Sequence, residues 1–514
     1  MVIKILLLVV FFAGMVAVGI SARRHAVSVS GFVLGGRSVG PWLTAFAYGT
    51  SYFSAVVFVG YAGQFGWKYG LASTWIGLGN AAIGSLLAWV VLGRRTRIMT
   101  QHLGSSTMPD FFEKRFDSKP LKITASVIIF IFLIPYTASI YNGLSRLFEM
   151  AFNIPYAVCV VVMAAFTAVY VILGGYMATA ISDFIQGIIM LFGIVVVVAA
   201  VLSGQGGFMN AVYELAQLPS DAAPTLGQPG AFTAFFGPDP VNLLGVVILT
   251  SLGTWGLPQM IQKFYAIRNE KAVRTGTVIS TVFAVIVSGG CYFLGGFSRL
   301  FDDPAIYGAD GAVVYDSIIP FMLSKLPDIL IGIVVVLVLS ASMSTLSSLV
   351  LTSSSTLTLD LIKGNLWKNM REESQIRTMR VLIAVFVAVS VLLAINPPDF
   401  IAQLMGISWG ALAGAFLAPF LYGIYWKRVT RAAVWASFAC GVGLTVGNLF
   451  FHFIDSAINA GAAAMVLGLV VVPVVSLITP RQPDKRLQEI FSCYEEKTVL
   501  HKKMVVGTEK DNAE

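Results

Sequence analysis

The sequence predicts an all-α polytopic membrane protein of about 13 transmembrane helices, organised as two five-helix units of inverted topology. Three observations carry this expectation. Hydrophobic residues fill 57% of the 514 positions against 12% charged, with a mean hydropathy of +0.82, a balance foreign to soluble and disordered chains. Apolar runs of about 18 to 25 residues, long enough to cross roughly 30 Å of hydrocarbon, recur from Lys4 to Thr479. Two of these runs carry polar Gly/Ser/Thr interruptions, and five spans separate one interruption from the next.

Taken in order, the expected spans are 4–22, 41–64, 71–93, 121–150, 154–174, 178–203, 240–266, 275–300, 328–360, 378–396, 400–425, 432–454 and 462–479. The first has its positive flank, Arg23 and Arg24, after the apolar run and no small-residue cleavage pattern, so it reads as a retained helix rather than a signal peptide. An odd number of spans puts the termini on opposite sides. Of the 34 Lys and Arg, 28 fall in alternate loops and the tail, while the intervening loops are nearly bare. Residues 204–240 hold no Lys or Arg, and 301–328 hold five Asp against Lys325. Positive charge stays inside, which predicts an outside N-terminus and a cytoplasmic C-terminus. The same alternation explains the net charge of +8 without nucleic acid as a partner.

Residues 1–480 therefore read as one transmembrane domain, with repeats at about 41–203 and 240–425 and added helices at 4–22, 432–454 and 462–479. Residues 481–514 read as a polar, partly disordered cytoplasmic tail. The two external excursions contain Gly, Pro and Asp and suit short surface helices or lids. Cys159, Cys291, Cys440 and Cys493 are scattered without redox or metal spacing, and the four histidines are dispersed with no nucleophile–base pair. An enzyme is not expected. Small loops and a lack of extracellular cysteines favour a bacterial inner membrane.

The interruptions locate the chemistry. Lipid offers no partner to a freed backbone carbonyl, so Ala47-Tyr48-Gly49-Thr50-Ser51-Tyr52-Phe53-Ser54 is tolerable at bilayer depth only against protein or a polar cavity. A second break lies at Thr250-Ser251-Leu252-Gly253-Thr254-Trp255-Gly256-Leu257-Pro258. Paired broken helices point to a site at the bilayer midplane; the alternative is a pair of ordinary kinks. In the ninth span Ala341, Ser344, Thr345 and Ser348 fall at i, i+3, i+4 and i+7 and share one face. Hydroxyls and freed carbonyls are hard ligands suited to a small alkali cation. The alternative is back-bonding to the preceding turn. Asp183, a carboxylate in an apolar run, marks an ion pathway or an interfacial helix N-terminal acid.

Three motifs in order, Leu34-Gly35-Gly36-Arg37-Ser38-Val39-Gly40, Gly174-Gly175-Tyr176 leading to Asp183 and Gln186, and Ser344-Thr345-Leu346-Ser347, resemble the sodium/solute symporter family over residues 5–480. The resemblance implies a LeuT-like fold and alternating access. It would place the coupling Na+ on the carbonyls of Thr50, Phe53 and Ala341 and the hydroxyls of Ser344 and Thr345. A second sodium or its exit path would map to Ser344, Ser347, Ser348 and Asp183. A solute cavity would be lined by Tyr52, Ser54, Ala55, Tyr136, Thr254, Trp255 and Gln259. Tyr136 resembles a residue of the proline carriers, but Tyr52, Val56 and Thr254 depart from them, and 53–63 with Lys68-Tyr69-Gly70-Leu71 look closer to the pantothenate carriers.

The expected function is sodium-coupled import of a small organic solute, a proline-like amino acid or a carboxylate such as pantothenate. A transporter-shaped solute sensor and a proton-coupled carrier are the alternatives. Few Asn, Gln or Glu on these spans argue against a sugar.

Overall fold

The computed structural model describes residues 2–396 and 401–495. Its regular elements are helices, joined by short turns and two isolated backbone bridges, Val39 with Ile267 and Tyr307 with Val313. Among the described residues ten helices are long and apolar enough to cross a membrane, or eleven when the bent pair Pro240–Gly256 and Pro258–Ala266 is one span. That count falls short of the thirteen expected. Two of the ten, Val56–His102 and Tyr156–Gly204, run to 47 and 49 residues. At 1.5 Å per residue each is about 70 Å of helix, more than twice the hydrocarbon thickness.

Both double-length segments turn at a glycine. Gly70 has φ 59°, ψ −140° and Gly175 has φ 54°, ψ −147°, a region open essentially to glycine alone. A Cβ at Gly70 would lie 2.2 Å from the Phe232 carbonyl oxygen, and one at Gly175 would lie 2.8 Å from that of Phe32.

The breaks are narrower than the polar stretches that announce them. Helix Pro41–Tyr52 continues through Gly49, Thr50 and Ser51 and stops at Phe53, whose φ −90°, ψ 110° are extended. A π-helical turn, Val56–Tyr61, restarts the span, the wide-turn geometry common at functional sites. The second break is the single residue Leu257, where the axis bends by 45°. Pro258 fits as the first residue of the next half-helix because its missing N–H is one the helix leaves unpaired in any case.

Around the breaks, backbones approach closely through small residues, the packing mode of helices in lipid. A Cβ at Gly66 would sit 2.0 Å from the Gly295 carbonyl oxygen, and one at Gly441 would sit 2.3 Å from the backbone of Gly414. These contacts hold Ala62–Tyr69 against Glu270–Gly295 and Arg431–Phe451 against Ile401–Tyr425.

The beginning of the tail is ordered rather than loose. Asp484–Ser492 is a helix with Leu487, Ile490 and Phe491 buried. Arg115, fully buried, donates to Gln482 Oε1 at 2.8 Å and faces the Phe491 ring at 5.0 Å, and Arg486 pairs with Asp117 at 3.2 Å. The apolar stripe escapes notice in the sequence because charges surround it. The rest of the tail lies outside the described residues. Short helices Phe208–Gln217 and Tyr315–Ser324 fill the two excursions, as the sequence suggests. Tyr315 of the second borders a 550 Å³ cavity edged by Lys68, Asp221, Asp239 and Arg299.

Gly66→Leu should abolish the close approach to Gly295 and cost about 3 kcal/mol or more, read as loss of monodisperse protein and of the melting transition in detergent. Gly14→Ala, where a Cβ meets nothing within 4 Å, should leave both unchanged.

Candidate functional site

Stopping the helix at Phe53 leaves the carbonyls of Thr50 and Phe53 without partners in the chain's own next turn. The Asp328–Thr356 helix supplies them. Thr345 Oγ1 lies 3.1 Å from the Thr50 oxygen, 3.2 Å from that of Phe53 and 3.2 Å from that of Ala341. Ser344 Oγ lies 3.1 Å from the Thr50 oxygen and 2.9 Å from that of Ala341. Five oxygens from two helices, none bearing a full charge, thus converge in a space closed to solvent. The same helix satisfies the freed donor on the far side of the break: Ala55 N–H donates to Ser342 Oγ at 3.2 Å.

One turn toward the second half-helix, a different arrangement replaces the expected set. Lys263, 2% exposed, donates to Ser348 Oγ at 3.0 Å and stands 3.8 Å from Asp183 Oδ2. Its ammonium also lies 5.1 Å from the Tyr176 ring centre. Because the Ala47 carbonyl can only accept, it takes the single proton of Ser51, and Ser348 therefore donates to Ser51 Oγ at 2.9 Å. Neither Asp183 oxygen has a hydrogen bond. Ser347 Oγ donates to the Ser344 carbonyl at 2.9 Å. Of the four residues expected to form a second cation site, Asp183 and Ser348 thus meet the Lys263 ammonium.

Lys263 escaped the sequence reading, yet it left a signal. It is the only charged residue between Pro240 and Ala266, and Asp183 is the only one between Tyr156 and Gly204. Two lone opposite charges at bilayer depth are expected to meet.

The expected cavity residues divide into two groups. Ser54, Ala55, Tyr136, Thr254 and Gln259 are fully buried and Trp255 is 8% exposed; the side chain of Tyr52 lies outside the described residues. Thr254 Oγ1 donates toward the Gly84 carbonyl at 3.0 Å and Trp255 Nε1 to that of Ile83 at 2.9 Å. Those carbonyls are available because Asn80–Leu87 is π-helical, so both side chains anchor the break to its neighbour. Gln259 instead has no hydrogen bond at either end of its amide, and the hydroxyl of Tyr136 has none. Buried polar groups are rarely left so, which makes these two the openings for a polar guest. The Tyr136 ring meets Trp409 edge-on at 5.8 Å, and Trp409 packs over Gly253 beside the second break. Trp409 Nε1 is also without a partner. Nothing in its local sequence distinguishes it from a core tryptophan.

A model of the sodium:solute symporter family matches residues 32–441. The osmoregulated proline transporter OpuE of Bacillus subtilis is 28% identical over 496 residues, covering 95% of this chain and 96% of that one. The sodium/proline symporter of Escherichia coli is 28% identical over 447 residues, covering 85% and 86%. Among solved structures, a Na+-coupled sialic acid symporter in a substrate-bound outward-open state superposes with a TM-score of 0.74 at 16% identity, covering 93% of this chain and 98% of that one. Mhp1, a nucleobase-cation-symport-1 family transporter in a closed conformation, gives 0.53 at 14%, covering 89% and 97%. At those identities the likeness is one of fold. The match to the family model spans most of the sequence, and the chain belongs to the sodium:solute symporter family.

Proposed function

We propose that this chain is a sodium-coupled symporter that imports a small proline-like amino acid by alternating access, with Na+ held by Thr50, Phe53, Ala341, Ser344 and Thr345. The observation that carries the reading is the convergence of those five oxygens at the first break. Na+ has nearly the radius of Ca²⁺, for which oxygen ligands stand at about 2.4 Å, so neighbouring ligands at right angles are about 3.4 Å apart. The separations of 2.9 to 3.2 Å need to widen by only a few tenths of an ångström. Sodium would then replace weak hydroxyl–carbonyl bonds between the broken span and Asp328–Thr356, favouring the conformation in which the two stay joined. Differential affinity of this kind is what couples an ion to a solute.

Gln259 and Tyr136, with Trp409, are the groups we assign to solute. Gln259 lies in the first turn of the half-helix Pro258–Ala266, where N–H groups favour a carboxylate. The proline transporters among the relatives support an amino acid. Pantothenate remains the second solute to test because of the stretch 53–63.

The same reading restores thirteen crossings if Val56–His102 and Tyr156–Gly204 each cross twice, turning at Gly70 and Gly175, with repeats at about 41–203 and 240–425. The positive-inside rule then puts Lys4, paired with Asp328 at 2.8 Å, outside, and the docked helix Asp484–Ser492 in the cytoplasm. A bacterial plasma membrane is the setting that the short loops support. At 100 mV, inside negative, one sodium supplies about 2.3 kcal/mol and each tenfold sodium ratio about 1.4 kcal/mol. One ion per cycle thus sustains a solute gradient of a few hundredfold.

Proteoliposomes given labelled proline, pantothenate, other amino acids and short carboxylates should accumulate one of them only under an inward sodium gradient. Accumulation driven by a proton gradient alone would replace sodium with protons, and binding without accumulation would make the chain a sensor. Thr345→Val, which keeps the shape and removes the oxygen, should raise the sodium concentration for half-maximal uptake at least about tenfold, equivalent to about 1.4 kcal/mol. Thr345→Ser should restore it, and an unchanged sodium dependence in Thr345→Val would sink the site. Gln259→Leu should raise the solute KM by about tenfold while leaving the sodium affinity of the solute-free protein within twofold, measured by sodium-dependent protection from thermal unfolding.

A further inference from the structure

The residues expected to hold a second sodium are already served by a cation that belongs to the chain. Lys263 Nζ makes a 3.0 Å hydrogen bond to Ser348 Oγ, stands 3.8 Å from Asp183 Oδ2 and faces the Tyr176 ring at 5.1 Å. A carboxylate, a hydroxyl oxygen and an aromatic face are together what a buried monovalent cation requires. All three surround the ammonium. Lys263, Asp183, Ser348 and Tyr176 are each at most 3% exposed, so no solvent screens the pair.

Charge balance then excludes a second ion. Asp183 is the one acid and Lys263 the one base there, and no other ionisable acid or base of the Asp, Glu, Lys or Arg kind lies on Tyr156–Gly204 or Pro240–Ala266. A sodium entering beside them would meet an ammonium a few ångströms away at low dielectric, with no second carboxylate on these elements to offset it.

We propose that Lys263 is a tethered cation that stands in for the second sodium, so that this chain binds a single Na+ per cycle. The proposal rests on the sodium reading of the Thr50–Thr345 cluster. In this arrangement the ammonium joins Pro258–Ala266 to the helices bearing Asp183 and Ser348. Its hydrogen-bond chain through Ser348 and Ser51 ends on the Ala47 carbonyl in Pro41–Tyr52. Both broken spans are thereby held to one cation that never leaves, and the transported sodium acts beside it.

Equilibrium binding of ²²Na+ to the purified full-length protein in detergent tests this without knowledge of the solute. The wild type should bind one Na+ per chain along a hyperbolic isotherm, and Thr345→Val should bind none at the same concentrations. Lys263→Ala should gain a second Na+, and Lys263→Ala with Asp183→Asn should return to one, each variant checked for a cooperative melt. Two sodium ions on the wild type, one of them surviving Thr345→Val, would overturn the tethered cation while leaving sodium coupling intact. A folded Lys263→Ala that still binds one would also overturn it. No sodium on the wild type would instead remove the sodium site on which the proposal rests. Should Lys263→Ala fail to fold, the wild-type count alone decides.

Discussion

Unwinding one helix at Phe53 inside hydrocarbon exposes backbone oxygens that lipid cannot satisfy, and much of the central architecture answers that cost. A lone unsatisfied polar group at this depth is worth several kcal/mol, so the break persists only while a hydroxyl-bearing surface is pressed against it. Ser342, Ser344 and Thr345 form that surface. Hydroxyl–carbonyl bonds of about 3 Å are weak enough to exchange for an ion and strong enough to keep the groove closed without one. A carboxylate at the same place would hold sodium too firmly to release it cheaply, whereas neutral oxygens allow a site to fill and empty within a transport cycle.

Holding two backbones against a break also requires helices that approach more closely than large side chains allow. Gly66 against Gly295, and Gly441 against Gly414, set that approach. The π-helical turns at Val56–Tyr61 and Asn80–Leu87 serve the same end from the other direction, because widening a turn frees carbonyls that Tyr48, Thr254 and Trp255 then bind. The breaks are therefore held by polar contacts spread over several helices.

The spans and both breaks were legible in the sequence because they rest on local composition: a run of apolar residues, a cluster of Gly, Ser and Thr. The face of Ala341, Ser344 and Thr345 was legible because helical periodicity fixes which positions align. The width of the first break was not, since Gly49, Thr50 and Ser51 fit a helix as readily as a loop once tertiary contacts choose. The sequence divides 71–93 from 41–64 and 178–203 from 154–174, whereas the structure carries helix on past the turns at Gly70 and Gly175. Lys263 was missed because its meaning depends on Asp183, eighty positions away, and only folding brings the two together. The docked stripe Leu487, Ile490 and Phe491 hides among charges, of which Arg486 pairs with Asp117 at the end of the distant helix Met108–Phe116.

The proposed sodium site and the place held by Lys263 differ in a way that bears on how such a carrier evolves. The first is built from neutral oxygens, which suits an ion that binds and leaves. The second contains a carboxylate buried with no hydrogen bond of its own, which is tolerable only with a positive charge at hand. A mobile sodium there would add driving force but would have to bind and leave in every cycle; an ammonium on a side chain gives up that force and keeps the carboxylate paired throughout. Exchanging one for the other requires a single basic residue on the half-helix Pro258–Ala266, so under the proposal made above the ion stoichiometry of this chain turns on one side chain rather than on the fold.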